Sequence, residues 1–243
     1  MPIGVLVNTL AILVGGIIGT LAGNRLTTDF KEKLNMIFGV CAMGMGISAI
    51  VLMENMPAVI FALIVGTSLG LVVHLGKRID AAAGLLQRAV MKVLKAPAAG
   101  LSQDEFMSTL VTVIVLFCAS GTGIYGSIVS GMTGEHSILI AKSILDLFTA
   151  LIFACSLGLV VSLIAIPQTI IFLVLFFGAQ LIFPLTTPAM INDFKAAGGF
   201  LLLAIGFRMI KVKMFPTADM IPAMVLVMPL SWFWTTYILP LVG

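Results

Sequence analysis

A chain of 243 residues that is 60% hydrophobic and only 9% charged cannot cover a water-facing surface, because an ordinary globular domain is roughly 25% charged. Its mean hydropathy of +1.22 and its repeated apolar runs of about 20 residues, the length a spanning helix needs, predict an all-α integral membrane protein. The formal charge of +3 is too small to suggest a nucleic-acid partner, and Cys41, Cys118 and Cys155 all lie in apolar runs without paired spacing, which argues against disulfides and thiolate metal sites.

The first predicted span, 3–23, has no basic residue before it, so it reads as a retained helix and not a cleaved signal. Further apolar segments follow at 35–53, 57–76, 105–130, 137–165, 167–187, 198–213 and 217–241. Together they predict a polytopic bundle of about eight (seven to eight) transmembrane helices in a single domain, 1–243. The segment at 198–213 is the weakest, because Arg208, Lys211 and Lys213 shorten it. With the N-terminus outside, Arg25, Lys31, Lys33, Lys77, Arg78, Arg88, Lys92, Lys95, Arg208, Lys211 and Lys213 fall on the cytoplasmic side. These are 11 of the 13 basic residues, so the positive-inside rule favours an N-out, C-out arrangement. The outer loops then carry mainly Glu54, Glu135, His136 and Asp193.

In the first span Gly15, Gly19 and Gly23 stand four apart, and Gly66 and Gly70 repeat the spacing in the third, with His74 continuing that row. Small residues at this interval let helices approach closely in lipid. Internal packing is the first reading of these rows and a homo-oligomer face the second. Between the third and fourth spans, residues 77–95 form a basic amphipathic helix on which Arg88, Lys92 and Lys95 share a face. With Lys77 and Arg78, it is expected to lie on anionic lipid of the inner leaflet.

The fourth span contains Gly121, Gly123 and Gly126 in a G-x-G-x-x-G pattern, with Asp146 following 20 residues later, as in a dinucleotide-binding loop. The setting is a membrane span and not a βαβ unit, and Gly131 and Gly134 interrupt the helix that should follow. The expectation is a helix broken at a glycine-rich stretch, whose freed backbone groups meet Ser120, Thr122, water or a solute. In the fifth span Lys142 and Asp146 share one helix face. Counted from Ser137, Asp146 lies roughly 14 Å deep, at 1.5 Å per residue. An ionised carboxylate there costs about 2.5–3.5 kcal/mol on insertion scales, so Lys142, water or a proton must offset it.

Asn8 and Gln180 are further polar residues suited to lining a cavity, whereas Gln168 is read as part of the turn before the sixth span. A faint echo pairs Asp29-Phe30-Lys31 with Asp193-Phe194-Lys195, compatible with an inverted repeat.

The blocks GTGIYG and SILIAKSILD, with the opening glycine-rich span and the later PLTTP and KMFP segments, resemble the YqgA/YdfK-like family of bacterial membrane proteins. The resemblance covers most of the chain. It implies a multi-pass protein of the bacterial inner membrane, of the kind described as a transport protein with no settled substrate, and it carries no assigned site residues. The first functional expectation is a transporter or channel for a small solute or ion, with a site built from Asp146, Lys142, Ser120, Gly121, Thr122, Gly123, Gly126, Asn8 and Gln180. The alternative is a non-transporting scaffold or regulator whose Lys142–Asp146 pair is structural. The sequence offers no nucleophile–base pair, His cluster or metal-ligand spacing, so neither an enzyme nor a cofactor is expected.

Overall fold

The computed structural model describes residues 1–22, 27–93 and 103–242, all in helices and their connections. The chain runs α1 (Ile3–Ala22), α2 (Thr28–Ile50), α3 (Met56–Val72), α4 (Leu75–Val93), α5 (Gln103–Cys118), α6 (Gly121–Thr133), α7 (Ser137–Leu157), α8 (Val160–Leu163), α9 (Ala165–Ile182), α10 (Pro188–Met209), α11 (Ile221–Phe233) and α12 (Leu239–Val242). Among the described residues seven helices or helix pairs are long and apolar enough to cross a membrane, or up to eight if α3 and α4 count as one bent span. This is a polytopic all-α membrane protein.

Two compact units form: Met1–Asn35 with Arg78–Gln180, and Met36–Lys77 with Leu181–Gly243. In the first unit α1 packs along α7. A side chain at Gly15 or Gly19 would collide with the Leu147 or Leu151 carbonyl oxygen, so glycine is what lets the two backbones meet. The buried face of α1 holds Asn8, Ile12, Gly15 and Gly19, while Leu10, Ile17 and Leu21 are exposed. Large apolar residues outward and small or polar residues inward is the order expected in lipid. α9 follows the same logic, with Ile166, Ile170, Val174 and Leu181 exposed and Gln168, Phe172 and Phe176 buried.

In the second unit Gly66 and Gly70 bring α3 against Ala223 of α11 and the Asp219 carbonyl, and Gly46 of α2 meets the Gly199 carbonyl of α10. The glycine rows therefore serve packing within each unit. Gly23 lies outside the described residues, and His74 is an exposed residue of positive φ (51°) at the break between α3 and α4.

Several boundaries differ from the sequence expectation. The fifth and sixth spans part at Gly158, whose φ of 73° few side chains adopt, and not at Pro167. Pro167 lies in the first turn of α9, where its missing N–H costs nothing. The seventh span begins at Pro188, ten residues before the expected start. Thr187 caps it by accepting from the Met190 N–H, a start signal that the charged DFK triplet conceals. The eighth span carries Pro229 within α11 and a π-helical turn at Trp234–Ile238 before α12. Of the basic amphipathic helix, α4 reaches Val93. The side chains of Arg88 and Lys92, and Lys95 altogether, lie outside what the structure describes.

Candidate functional site

The fourth span is broken, but just before its glycines. The α-helix stops at Cys118 and restarts at Gly121. Ser120, extended at φ −69° and ψ 136°, caps the new start by accepting from the Gly123 N–H at 3.2 Å. Gly121, Gly123 and Gly126 are themselves helical, and Gly123 and Gly126 serve close packing. A side chain at Gly123 would strike the Phe172 ring, and one at Gly126 would press on Leu139. Thr122 is buried in the same turn. One backbone group freed at the break, the Gly123 N–H, is thus capped by the chain itself.

On α7, Lys142 and Asp146 do form the expected pair. Lys142 Nζ donates to Asp146 Oδ2 at 2.6 Å, with the two side chains 4% and 8% exposed. Asp146 is the tenth residue of a 21-residue helix, one position from its midpoint. Asn8 of α1 is fully buried and donates its Nδ2 to the same Oδ2 at 2.8 Å. Gln168 of α9 completes the group by donating its Nε2 to Asn8 Oδ1. Above the ammonium lies the Phe117 ring of α5, its centroid 5.9 Å from Nζ. Gln180, the amide expected at the site, is exposed three turns further along α9. Gln168 takes that place, because the turn expected at Pro167 is the opening of a helix.

The direction of this relay follows from charge. An ionised Asp146 accepts only, so Asn8 must turn its NH2 toward it and its carbonyl toward Gln168. Gln168 must then turn its own NH2 toward Asn8, which leaves Gln168 Oε1 without a partner although the residue is fully buried. An unmatched buried acceptor of this kind costs about 1–3 kcal/mol. Next to the relay, Thr9 and Thr169 share a hydrogen bond of 2.6 Å that ties α1 to α9. Ser127 Oγ on α6 is likewise buried without a partner.

The second unit holds a buried carboxylate that the sequence reading missed. Asp193, expected in an outer loop, is fully buried in α10. Its Oδ1 accepts the backbone N–H groups of Glu54 and Asn55 at 2.8 and 2.9 Å. Its Oδ2 accepts Asn55 Nδ2 at 2.9 Å and the Ser231 hydroxyl at 2.6 Å. The two N–H groups belong to the residues just before α3, so Asp193 holds the chain where it enters that helix, near the positive end of its dipole. Asn55 also donates to Thr235 at 3.1 Å.

Both units thus place an asparagine against an aspartate. Asn8 and Asp146 are 138 residues apart, as are Asn55 and Asp193. One register shift of 47 residues carries the first pair onto the second, and it also matches Ala11 with Ala58, Ile17 with Ile64, Gly19 with Gly66, Thr20 with Thr67 and Gly23 with Gly70. The packing differs: the glycines of α1 face α7, and those of α3 face α11 and Asp219. The counter-charges differ too, because the position matching Lys142 is Ala189. The echo expected between Asp29 and Asp193 has no such basis. Asp29 is 73% exposed in a surface pair with Lys33, in surroundings unlike those of Asp193.

Among the described residues no group of three or more His, Cys, Asp or Glu side chains is placed to hold a metal. The chain is similar to the uncharacterized protein YqgA of Escherichia coli (strain K12), 47% identical over 237 residues that cover 98% of this chain and 99% of that protein. It is also similar to the uncharacterized membrane protein YdfK of Bacillus subtilis (strain 168), 24% identical over 227 residues, 92% of this chain and 93% of that one. No solved structure matches it. A helical membrane protein built around two buried Asn–Asp pairs, and matched from residue 3 to 232 by the model for proteins of unknown function DUF554, the chain belongs to the DUF554 family.

Proposed function

We propose that the protein is a transporter of a small solute or ion, whose path crosses the first unit at Asp146, Lys142, Asn8 and Gln168. The observation that carries this reading is the buried Lys142–Asp146 pair at mid-span with an unmatched acceptor, Gln168 Oε1, in the same relay. Charges held at that depth are costly and tend to mark ion and solute pathways. The pair is almost fully enclosed, which suits the occluded state of a carrier better than an open channel. The same enclosure favours a second reading, in which the pair merely orients α7 and α1 in a non-transporting scaffold.

The charge distribution supports an inner-membrane protein with both ends outside. Lys77 and Arg78, exposed at the start of α4, would rest on anionic lipid together with Arg88, Lys92 and Lys95.

The two readings differ in whether water ever reaches the pair. Ser143 lies one turn before Asp146 and is 3% exposed. In a chain whose three native cysteines are replaced, Ser143→Cys should be modified by a small membrane-impermeant thiol reagent during turnover between states. Complete protection from both sides of the membrane in the folded protein would leave only the scaffold reading.

A further inference from the structure

Resting on the transport reading, this inference names the substrate class of the same site. The two Asn–Asp pairs provide an internal comparison. Each oxygen of Asp193 accepts two hydrogen bonds, and all four donors belong to the protein. Asp146 is arranged otherwise. Lys142 and Asn8 both donate to its Oδ2, and its Oδ1 accepts from none of the described residues. At the buried end of the relay Gln168 Oε1 is unused as well. The Lys142 ammonium has three N–H donors, of which one is engaged, on Asp146. Among the described residues, this nearly enclosed pair and its relay therefore keep two acceptors and two donors open.

We infer that the cluster binds a small zwitterion, a solute with one ammonium and one carboxylate. The solute ammonium takes Asp146 Oδ1 and Gln168 Oε1, and its carboxylate takes the two free N–H groups of Lys142. No contact of the relay has to break. Asn8 keeps its NH2 on Asp146 and its carbonyl on the Gln168 NH2, the orientation that an ionised Asp146 imposes. That orientation is what holds Gln168 Oε1 free. No proton moves either: Lys142 stays an ammonium and Asp146 a carboxylate.

Charge selects the same class. Lys142 and Asp146 are together neutral, so an added metal cation or halide leaves one uncompensated charge at mid-span, a costly state in lipid. A zwitterion adds no net charge. Its two ends set against the pair give four charges of alternating sign, each with an opposite neighbour, which is the condition under which buried ions are tolerated.

Size follows from enclosure. The pair is 4% and 8% exposed and the Phe117 ring covers the ammonium, so a bulky solute is excluded. The wall on that side is two half-helices, because α5 ends at Cys118, one residue past Phe117, and α6 starts at Gly121. Discontinuous helices of this kind recur beside the midplane substrate sites of transporters.

The test follows the thermal midpoint of the purified full chain in detergent with glycine, L-alanine, β-alanine and γ-aminobutyrate, which place the two charges at different separations. Ethylamine hydrochloride and sodium propionate each supply one of the charges, and NaCl controls for ionic strength. The expected result is a saturable rise with at least one zwitterion and none with the three controls. Gln168→Leu should raise the half-saturating concentration of that zwitterion about tenfold or more, for the loss of a hydrogen bond to a charged group. Lys142→Gln combined with Asp146→Asn removes both charges without leaving either unpaired, and should abolish the rise in a folded chain. No rise with any zwitterion in the folded parent overturns the inference. A rise that survives the double variant, or an equal rise with ethylamine or propionate, overturns it as well. Flux of other solutes or ions in liposomes without zwitterion binding would remove this inference and leave transport standing, whereas zwitterion binding without flux would do the reverse.

Discussion

Asp146 and Asp193 are the same residue type in the same membrane-spanning fold, each 0–5% exposed, yet their neighbours give them different work. Asp193 holds the residues that lead into α3, so its loss leaves two backbone N–H groups and one N–H of the Asn55 amide without their acceptor. Asp193→Ala is therefore expected to destabilise the chain by about 3 kcal/mol or more, from several buried donors at about 1–3 kcal/mol each. A lowered thermal midpoint is the readout. Asn8→Leu removes the bridge between Asp146 and Gln168 and should cost about 1–2 kcal/mol, near the upper range for interhelical hydrogen bonds in membranes. Unfolding midpoints in a denaturing detergent series would check it, and an unchanged midpoint would show that the relay is not formed. Lys142 and Asp146 were legible from the sequence because opposite charges four apart on one helix face can neutralise each other inside an apolar run. Asp193 and Gln168 were not. DFK reads as a loop until Asn55 and Ser231, 138 and 38 residues distant, are seen to receive the carboxylate. Gln168 reads as a turn because Pro167 precedes it.

At the scale of the elements, glycine position and not glycine content decides the effect of a substitution. Gly15 and Gly19 sit under the carbonyls of α7, whereas Gly44 and Gly178 have open space around them. Gly15→Val is expected to cost about 1–3 kcal/mol through overpacking and to separate α1 from α7. Gly178→Ala should be neutral or stabilising by up to about 1 kcal/mol, from helix propensity alone. Equal midpoints for the two variants would contradict the packing described for α1. The spacing of Gly15 and Gly19 foretold such a contact, but not its partner, because nothing local distinguishes α7 from the other apolar helices. The G-x-G-x-x-G stretch shows the converse. Its sequence suggested that the glycines break the helix, while the break falls at Ala119–Ser120 and the glycines accommodate Phe172 and Leu139.

For the whole molecule, apolar run lengths were enough to foretell a polytopic helical protein of seven or eight spans, because lipid leaves the backbone few alternatives. Helix ends were less legible where a cap such as Thr187 or a left-handed glycine such as Gly158 sets them. The distribution of basic residues makes one further prediction: a periplasm-only reporter fused after Gly243 should be active, and an inactive fusion would contradict the N-out, C-out reading. The proposal that Asp146 serves transport while Asp193 serves the fold is tested most directly by flux. Parent, Asp146→Asn and Asp193→Asn chains, reconstituted at matched folded amounts, are compared for movement of a panel of ions and small solutes in liposomes. The expected result is a loss of at least tenfold in Asp146→Asn and near-parental flux per folded molecule in Asp193→Asn. Parental flux in a folded Asp146→Asn protein would contradict it.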